Sequence, residues 1–261
     1  MKIGIIGGGA MGGALAQGLI DSGEIKAQDI TISNPHIEKI ERFGVQGADI
    51  TTSNVKAVKG SDLVVIAVKP WFVKEVIEEI DPVIDPDKTE ICSLAAGINA
   101  DEIISMFRIN KPRRLSITIP NTAMAVRESM TFIVKGEGNP QLSDRIFSLV
   151  GKVMSIGERQ LPGAMALVSC GLAYAMRYVR AACEGGVELG IRAAEAQEII
   201  AQTLIGTVSL LRQPGAHPET EIDKVTTPGG ITIRGLNAME EAGFTSAVIA
   251  GLKAGVIKKL P

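Results

Sequence analysis

Three glycines near the start of the chain have the spacing of a dinucleotide-binding turn. Gly7, Gly9 and Gly12 form the pattern G-x-G-x-x-G, with an apolar run over 3–6 before them and helical spacing over 10–20 after them. The first glycine would form the turn, the second would let the backbone approach a pyrophosphate, and the third would let the helix pack against the strand. A glycine-rich structural turn is the alternative, but the flanking strand and helix favour nucleotide binding.

The second predicted strand, residues 29–33, indicates which nucleotide binds. An NAD site carries an acidic residue near the end of this strand, where it holds the ribose hydroxyls. This chain has Ser33, Asn34 and His36 there instead, with Lys39 nearby. Because no carboxylate repels a 2′-phosphate, these donors favour NADPH, with NADH as the alternative. An ordinary turn into the next helix would explain the same residues, and both interpretations can hold together.

A second turn with chemical potential lies at residues 224–233, whose sequence is KVTTPGGITI. Three threonines surround a Pro-Gly-Gly turn just before a predicted helix, so free amides and hydroxyls lie together. The amides of Gly229, Gly230 and Ile231 would bind a carboxylate at the helix start, and Thr232 would add its hydroxyl. A Pro-Gly turn with capping threonines predicts the same backbone, so the local pattern leaves both interpretations open.

The composition excludes several classes of protein. Of the 261 residues, 46% are hydrophobic and the net charge is −2, so we expect a globular protein without a basic surface for nucleic acid. Three cysteines without C-x-x-C spacing and two distant histidines predict neither disulfides nor a metal site. The longest uncharged apolar stretch, residues 163–176, is shorter than the roughly 18–20 residues that span a membrane. No apolar signal segment precedes the first strand, so we expect a cytoplasmic protein.

The order of predicted elements divides the chain in two. Residues 1–158 alternate between strands and helices, including a helix over 35–43, which predicts an α/β domain with a doubly wound parallel sheet, the Rossmann fold. Residues 159–261 show only helical patterns, at 161–189, 195–212, 230–241 and 246–259. The first of these helices is apolar on most sides and rich in small residues, so it must be buried. We therefore infer that this all-α domain packs against a second copy as a homodimer, with a monomeric cap on the sheet as the alternative.

Motifs along nearly the whole chain resemble the pyrroline-5-carboxylate reductase family. They are, in order, GIIGGGAMGGAL, VVIAVKP, SLAAGI, IPNTAMAV, CGLAY and KVTTPGGITIRGLNAMEEAGF. The resemblance implies reduction of the cyclic imine 1-pyrroline-5-carboxylate to L-proline, by hydride transfer from NADPH or NADH to the imine carbon. It also implies a Rossmann domain followed by a helical domain that forms a homodimer, and in some members five dimers form a decamer.

The resemblance further implies the roles of individual residues. Thr232 would be the catalytic hydroxyl, hydrogen-bonded to the ring nitrogen. The residues that would bind the substrate are Thr226, Thr227, Gly229, Gly230 and Ile231. The residues that would hold the cofactor are Gly7, Gly9, Ala10, Met11, Gly12, Ser33, Asn34, Asn54, Val68, Lys69, Pro70, Ala95, Ala96, Gly97 and Asn121. Asn121 would border the nicotinamide, while Ser33 and Asn34 would lie near the adenosine.

Three other functions fit part of the sequence. A β-hydroxyacid dehydrogenase shares the architecture but depends on a lysine in the long helix, and residues 161–189 contain none. An F420-dependent NADP oxidoreductase would not explain the helical second domain. A catalytically silent NADP-binding protein would tolerate a damaged substrate turn, whereas residues 227–232 are intact here.

Overall fold

The computed structural model describes residues 1–136 and 138–256 of the chain. These form two compact units, one made of residues 1–169 with Val256 and the other of residues 170–255. The helix predicted over 246–259 extends past the described part, so its residues from 257 onwards lie outside it. Among the described residues, every helix is too short or too polar to cross a membrane.

The first unit is built on one sheet of eight strands. These are β1 (Ile3–Ile6), β2 (Ile30–Ser33), β3 (Asp49–Thr51), β4 (Leu63–Ile66), β5 (Glu90–Ser93), β6 (Arg114–Ile119), β7 (Ser129–Lys135) and β8 (Gly151–Ser155). Their spatial order is β3-β2-β1-β4-β5-β6-β7-β8. Strand β1 pairs in parallel with β2 on one side and β4 on the other. The strand order therefore reverses at β1, and ligands of such sheets bind at the carboxyl ends of the strands beside this point.

Helices cover both faces of this sheet. They are α1 (Ala10–Ser22), α2 (Glu41–Val45), α3 (Asn54–Val58), α4 (Val73–Ile80), α5 (Ala100–Met106), α6 (Leu142–Ser148) and α7 (Leu161–Met165). Ile5 of β1 packs in one apolar layer with Leu15 of α1, whereas Ile6 packs in the other with Ile77 of α4. All four residues of β1 and of β4 are buried. Burial on both faces explains why these strands are apolar throughout rather than alternating.

One strand pair at the end of this mostly parallel sheet is antiparallel. Strand β7 runs antiparallel to β6, with Ile117 opposite Val134, and β8 then runs parallel to β7. The connection from β6 to β7 holds only a 3₁₀ turn, Thr122–Val126. A parallel crossover needs roughly a dozen residues or more and usually a helix, so this short connection reverses the strand direction.

The helix predicted over 35–43 is broken into two pieces. A 3₁₀ turn spans Ile37–Lys39, and α2 follows only at Glu41. The side-chain amide of Asn34 donates to the carbonyl oxygen of His36 at 2.8 Å. Such a local side-chain bond competes with helical hydrogen bonding, which explains why a continuous helix does not begin here.

A buried carboxylate joins the sheet to α6. Glu90, the first residue of β5, is 1% exposed. Its carboxylate accepts hydrogen bonds from the backbone amides of Gln141, Leu142 and Ser143 at 2.7–3.0 Å, and from the Ser143 hydroxyl at 2.6 Å. Glu90 therefore caps the start of α6 from a strand that is distant in the sequence but adjacent in space. The helix dipole favours a negative charge at this position.

The described residues of the second unit are wholly helical. A π-helical turn, Ala166–Cys170, ends at the first residue of this unit, and the helices α8 (Gly171–Glu188), α9 (Ala193–Leu211), α10 (Pro218–Val225), α11 (Ile231–Glu241) and α12 (Phe244–Ala254) follow. The hydroxyl of Tyr174 donates to the carbonyl oxygen of Gly251 at 3.0 Å and ties α8 to α12. The sequence analysis missed α10, which lacks a long apolar stripe; its signal is Pro218 at the first helical position with two acidic residues in the first turn.

Large apolar side chains of this unit are exposed in the single chain. Leu189 is 84% exposed, Met176 61% and Ile205 60%. No residue of α8 is buried, and α9 buries Ala196 alone. One chain by itself therefore does not supply the burial that the sequence predicts for the first long helix.

Candidate active site

The glycine turn, residues 7–12, has room only for glycine at its two ends. Gly7 has a φ of +98°, and a β-carbon there would lie 2.7 Å from the carbonyl oxygen of Ala67. A β-carbon on Gly12 would lie 1.9 Å from the carbonyl oxygen of Gly7. At Gly9, by contrast, a β-carbon would meet no atom within 4 Å. The backbone is thus tightly packed on one side of the turn and open at Gly9, as close approach to a ligand requires.

The start of α1 offers free backbone donors beside this opening. Gly9 is the N-cap, it has no side chain to satisfy the helix amides, and the first turn of α1 contains no acidic residue. The amide of Gly13 donates to the carbonyl oxygen of Gly9 at 2.8 Å, which is the first helical hydrogen bond of α1. The amides of Ala10, Met11 and Gly12 come before it in the chain and have no partner within the helix. Free amides and the helix dipole together favour an anion, so the diphosphate of a dinucleotide fits here.

Two further loops leave the same edge of the sheet. The amide of Ala67 donates to the carbonyl oxygen of Ile6 at 2.8 Å, and the amide of Leu94 to that of Ile66 at 2.9 Å. The loops after β4 and β5 therefore begin side by side next to the glycine turn. They carry the predicted cofactor residues Val68, Lys69, Pro70, Ala95, Ala96 and Gly97, with Gly97 at a φ of +80°. The fold thus brings together residues that lie far apart in the sequence.

The predicted adenosine end is a hydrogen-bonded chain of polar side chains. Ser33 ends β2, and its hydroxyl donates to Oδ1 of Asn54 at 2.7 Å. The amide group of Asn54 in turn donates from Nδ2 to Oε2 of Glu79 at 2.7 Å. The backbone amide of Gly7 donates to the carbonyl oxygen of Ser33 at 2.9 Å, which links this chain to the glycine turn. Sequence reasoning missed Glu79, because it lies on α4 outside every motif.

Asn34 and Asn121 are both hydrogen-bonded to backbone groups, within their own loops and beyond them. The backbone amide of Asn34 donates to the carbonyl oxygen of Thr51 at 3.0 Å, while its side chain bonds the 3₁₀ turn described above. Asn121 is 8% exposed. Its Oδ1 accepts from the amide of Ala123 at 3.0 Å and its Nδ2 donates to the carbonyl oxygen of Val168 at 3.3 Å. Both asparagines therefore shape the loop backbone where they lie.

The Pro228 turn, residues 226–232, lies in the second unit. Gly229 has a φ of +70°, and the amide of Gly230 donates to the carbonyl oxygen of Thr227 at 2.9 Å. Gly230 is the N-cap of α11, again without a capping side chain or an acidic residue in the first helical turn. The amides of Ile231 and Thr232 therefore begin α11 without helical partners.

One cation contacts the Pro228 turn. Nη2 of Arg234 donates to the carbonyl oxygen of Gly229 at 3.1 Å, which places a guanidinium against the turn. Nζ of Lys224 forms an ion pair with Glu221 at 2.6 Å. Thr226 is the C-cap of α10, and its hydroxyl donates to the carbonyl oxygen of Asp223 at 3.2 Å. The Pro228 turn is therefore an uncapped helix start with a positive charge beside it, suited to a carboxylate.

Histidine, cysteine and acidic side chains are the potential metal ligands in the part of the chain that the structure describes. Those residues contain no group of three or more His, Cys, Asp or Glu side chains that could hold an ion. The three cysteines are free. Cys92 is fully buried, and this burial raises its pKa to about 11.

Family models match a segment at each end of the chain. Residues 2–97 match the family model for NADP oxidoreductase, coenzyme F420-dependent, and residues 158–259 match the model for pyrroline-5-carboxylate reductase dimerisation. The chain is 34% identical over 268 residues to pyrroline-5-carboxylate reductase 2 of Dictyostelium discoideum. The aligned region covers 96% of this chain and 89% of that protein. The chain belongs to the pyrroline-5-carboxylate reductase family. The resemblance inferred from the sequence motifs is thereby confirmed.

Other members of the pyrroline-5-carboxylate reductase family extend the match. Pyrroline-5-carboxylate reductase 3 of Macaca fascicularis is 30% identical over 261 residues, covering 98% of this chain and 94% of that protein. A crystal structure of Plasmodium falciparum pyrroline carboxylate reductase with NADP bound superposes with a TM-score of 0.87 at 25% identity, covering 98% of this chain and 95% of that one. The enzyme from Coxiella burnetii gives 0.85 at 28% identity, with 97% and 95% covered. The predicted Rossmann sheet followed by helices is confirmed, and the chain is an NAD(P)H-dependent oxidoreductase.

Proposed function

We propose that this enzyme, which reduces 1-pyrroline-5-carboxylate to L-proline, uses the glycine turn to hold NADPH or NADH and the Pro228 turn to hold the substrate. The observation that carries the substrate assignment is the uncapped start of α11 at Gly230, next to the guanidinium of Arg234. The substrate has one carboxylate on a small ring, and free amides beside a cation match that group.

Each part of the coenzyme has residues in the first unit to receive it. The amides of Ala10, Met11 and Gly12 would bind the diphosphate, and Gly9 leaves space for its approach. The loops after β4 and β5 would line the ribose and nicotinamide, with Asn121 at the nicotinamide end. Ser33, Asn34 and Asn54 would border the adenosine. When bound, the coenzyme supplies the hydride that reduces the imine carbon.

The substrate would be held by its carboxylate and its ring nitrogen. The backbone of Thr227, Gly229, Gly230 and Ile231 would hold the carboxylate, with Thr226 fixing the end of α10. The hydroxyl of Thr232 would hydrogen-bond the ring nitrogen, which is basic enough to take its proton from water. Positioning of this kind supplies roughly 7–11 kcal/mol of a barrier, so a strong protein acid is not required. Fixing the carboxylate also fixes which face of the ring is reduced.

The assembly is a homodimer formed by the second predicted domain, residues 159–261, most of which matches the dimerisation model. The exposed apolar side chains of α8 and α9 support it, since a second copy would bury them. Five such dimers would then form a decamer. Light scattering distinguishes the two, because a dimer has twice and a decamer ten times the chain mass of 27.5 kDa. The proposal places the enzyme in the cytoplasm, where the three free cysteines stay reduced.

Steady-state kinetics test the proposed reaction. The purified enzyme is mixed with NADPH or NADH, and the loss of absorbance is followed after 1-pyrroline-5-carboxylate is added. We expect turnover that depends on the cyclic imine, with L-proline as the product. In parallel, a 3-hydroxy acid is offered with NADP⁺ or NAD⁺. Oxidation of the hydroxy acid without reduction of the imine would instead assign a β-hydroxyacid dehydrogenase activity.

A further inference from the structure

Glu79 contacts one of the predicted coenzyme residues, Asn54, although it belongs to none of the sequence motifs. It lies near the end of α4, and its Oε2 accepts a hydrogen bond from Nδ2 of Asn54 at 2.7 Å. Oδ1 of Asn54 accepts from the hydroxyl of Ser33 at 2.7 Å. The carboxylate of Glu79 therefore lies two hydrogen bonds from the end of β2, where enzymes of this fold recognise the adenosine ribose.

The direction of these hydrogen bonds is set by Glu79. An ionised carboxylate can only accept, so Asn54 must turn Nδ2 towards it and Oδ1 towards Ser33. The hydroxyl of Ser33 must then donate to Asn54. Ser33 is fully buried, so its hydrogen is spent inside the protein and is not offered to a phosphate. Glu79 thus fixes which atoms the side chain of Asn54 can present to a ligand.

The charge of Glu79 also matters at this end of the site. Strand β2 ends in Ser33 and Asn34 without the acidic residue that NAD sites carry there. The exposed carboxylate of Glu79 brings one negative charge to the same place from α4. A 2′-phosphate carries roughly −1.5 to −2 charges and is repelled, whereas a 2′-hydroxyl is not.

We propose that Glu79 is a positioning residue that sets coenzyme choice, weakening NADPH binding relative to NADH so that the enzyme uses both. This rests on the proposed function only in taking Asn54 and Ser33 as the adenosine end. Glu79 acts through Asn54, whose amide it orients, and through its charge. It substitutes for the acid that β2 lacks.

Equilibrium binding tests the proposal without turnover. Isothermal titration calorimetry measures the Kd of NADP⁺ and of NAD⁺ for the parent and for Glu79→Gln, which keeps an acceptor for Asn54 but removes the charge. We expect Glu79→Gln to tighten NADP⁺ about threefold to tenfold and to leave NAD⁺ within about twofold. The gain for NADP⁺ should shrink as salt is raised, because salt screens exposed charges.

Glu78→Gln is the matched control. Glu78 is the preceding residue of α4, and its carboxylate faces Arg108 at 3.6 Å and Lys74 at 4.0 Å rather than Asn54. We expect it to leave the ratio of the two Kd values unchanged. Glu79→Ala, which also frees the Asn54 amide, should weaken NAD⁺ about threefold more than Glu79→Gln does.

The outcomes separate this proposal from the proposed function. If both coenzymes bind the parent but Glu79→Gln leaves the ratio of Kd values unchanged, or Glu78→Gln changes it equally, Glu79 does not set coenzyme choice. Equal NAD⁺ affinities for Glu79→Gln and Glu79→Ala would remove its positioning role. If the parent binds neither coenzyme, the proposed function itself fails.

Discussion

A β-carbon on Gly12 would lie 1.9 Å from the carbonyl oxygen of Gly7, so the first turn of α1 packs directly on the turn that precedes it. At Gly9 a β-carbon would meet no atom within 4 Å. The two positions of one motif are therefore occupied by glycine for different physical reasons. The fold itself requires glycine at position 12, whereas Gly9 leaves space for a ligand.

Alanine at these two positions should separate stability from coenzyme binding. Gly12→Ala must displace backbone, so we expect a loss of about 3 kcal/mol in the free energy of unfolding, measured in urea. Gly9→Ala should cost less than about 1 kcal/mol but weaken coenzyme binding at least about tenfold, measured by calorimetry. Parental coenzyme affinity in Gly9→Ala would show that the diphosphate does not lie there.

Removing the hydroxyl of Thr232 should slow turnover without affecting the coenzyme. We expect kcat of Thr232→Ala to fall about 10²-fold, as when one oriented hydrogen-bond donor is lost, while the Kd of NADPH is unchanged. Thr232→Ser keeps a hydroxyl and should retain most of the parental rate. Thr245→Ala, which removes a hydroxyl bonded to Glu240 at 2.7 Å in the same unit, is the control for a general effect. A Thr232→Ala enzyme with parental kcat would contradict the assigned role.

The buried carboxylate of Asp81 predicts how stability depends on pH. Burial by itself would raise the pKa of Asp81, but hydrogen bonds from the backbone amides of Asn110, Arg108 and Ile109, at 2.7–2.9 Å, outweigh it and leave this pKa below its usual value. The stabilisation is therefore complete above the unfolded pKa of about 3.9 and is lost as the pH falls through the lower, folded pKa.

Asparagine substitutions make this dependence measurable. We expect Asp81→Asn to lower the free energy of unfolding at pH 7 by about 2–3 kcal/mol, with the difference from the parent shrinking in strongly acidic buffer. Asp87→Asn breaks an exposed ion pair with Arg113 at 2.7 Å and should cost no more than about 1 kcal/mol. Equal losses of unfolding free energy at the two positions would show that the backbone hydrogen bonds to Asp81 stabilise the fold no more than an exposed ion pair does.

Cys92 should resist alkylation in the folded enzyme. Its thiol is fully buried, and burial raises its pKa to about 11, so almost none is thiolate at neutral pH. Treatment with iodoacetamide at pH 7.5, followed by peptide mass spectrometry, should leave Cys92 unmodified. The same treatment in denaturant should modify it fully. Rapid labelling of Cys92 in native buffer would mean that the sheet opens far more often than its burial indicates.

Local sequence predicted the first unit well where a single strand or turn determines the structure. The run DLVVIAV predicts a strand buried on both faces, and the four residues of β4 are all buried. The glycine pattern likewise predicts a turn before a helix, as observed at Gly9. In both cases the physical cause, apolar burial or the lack of a β-carbon, lies within a few consecutive residues, so the local sequence is enough to predict the structure.

Long-range relationships could not be predicted in this way. The bond between Asn54 and Glu79 joins residues 25 positions apart, and neither residue carries a signal for the other. The antiparallel direction of β7 depends on the short connection from β6. In the sequence this connection looks like any other loop, so its length did not indicate a reversal of strand direction. The sequence offered the Pro228 turn as a candidate carboxylate site, but its neighbour Arg234, bonded to Gly229, was not singled out.

The capping of α6 by Glu90 has a consequence for how the protein is made. The carboxylate and its amide partners are separated by 51–53 residues. While the chain leaves the ribosome, Glu90 emerges long before those partners, and burying its charge alone would cost several kcal/mol. We therefore expect the nascent chain to keep β5 hydrated until residue 143 has left the ribosome, so the middle of the sheet closes late and together with α6.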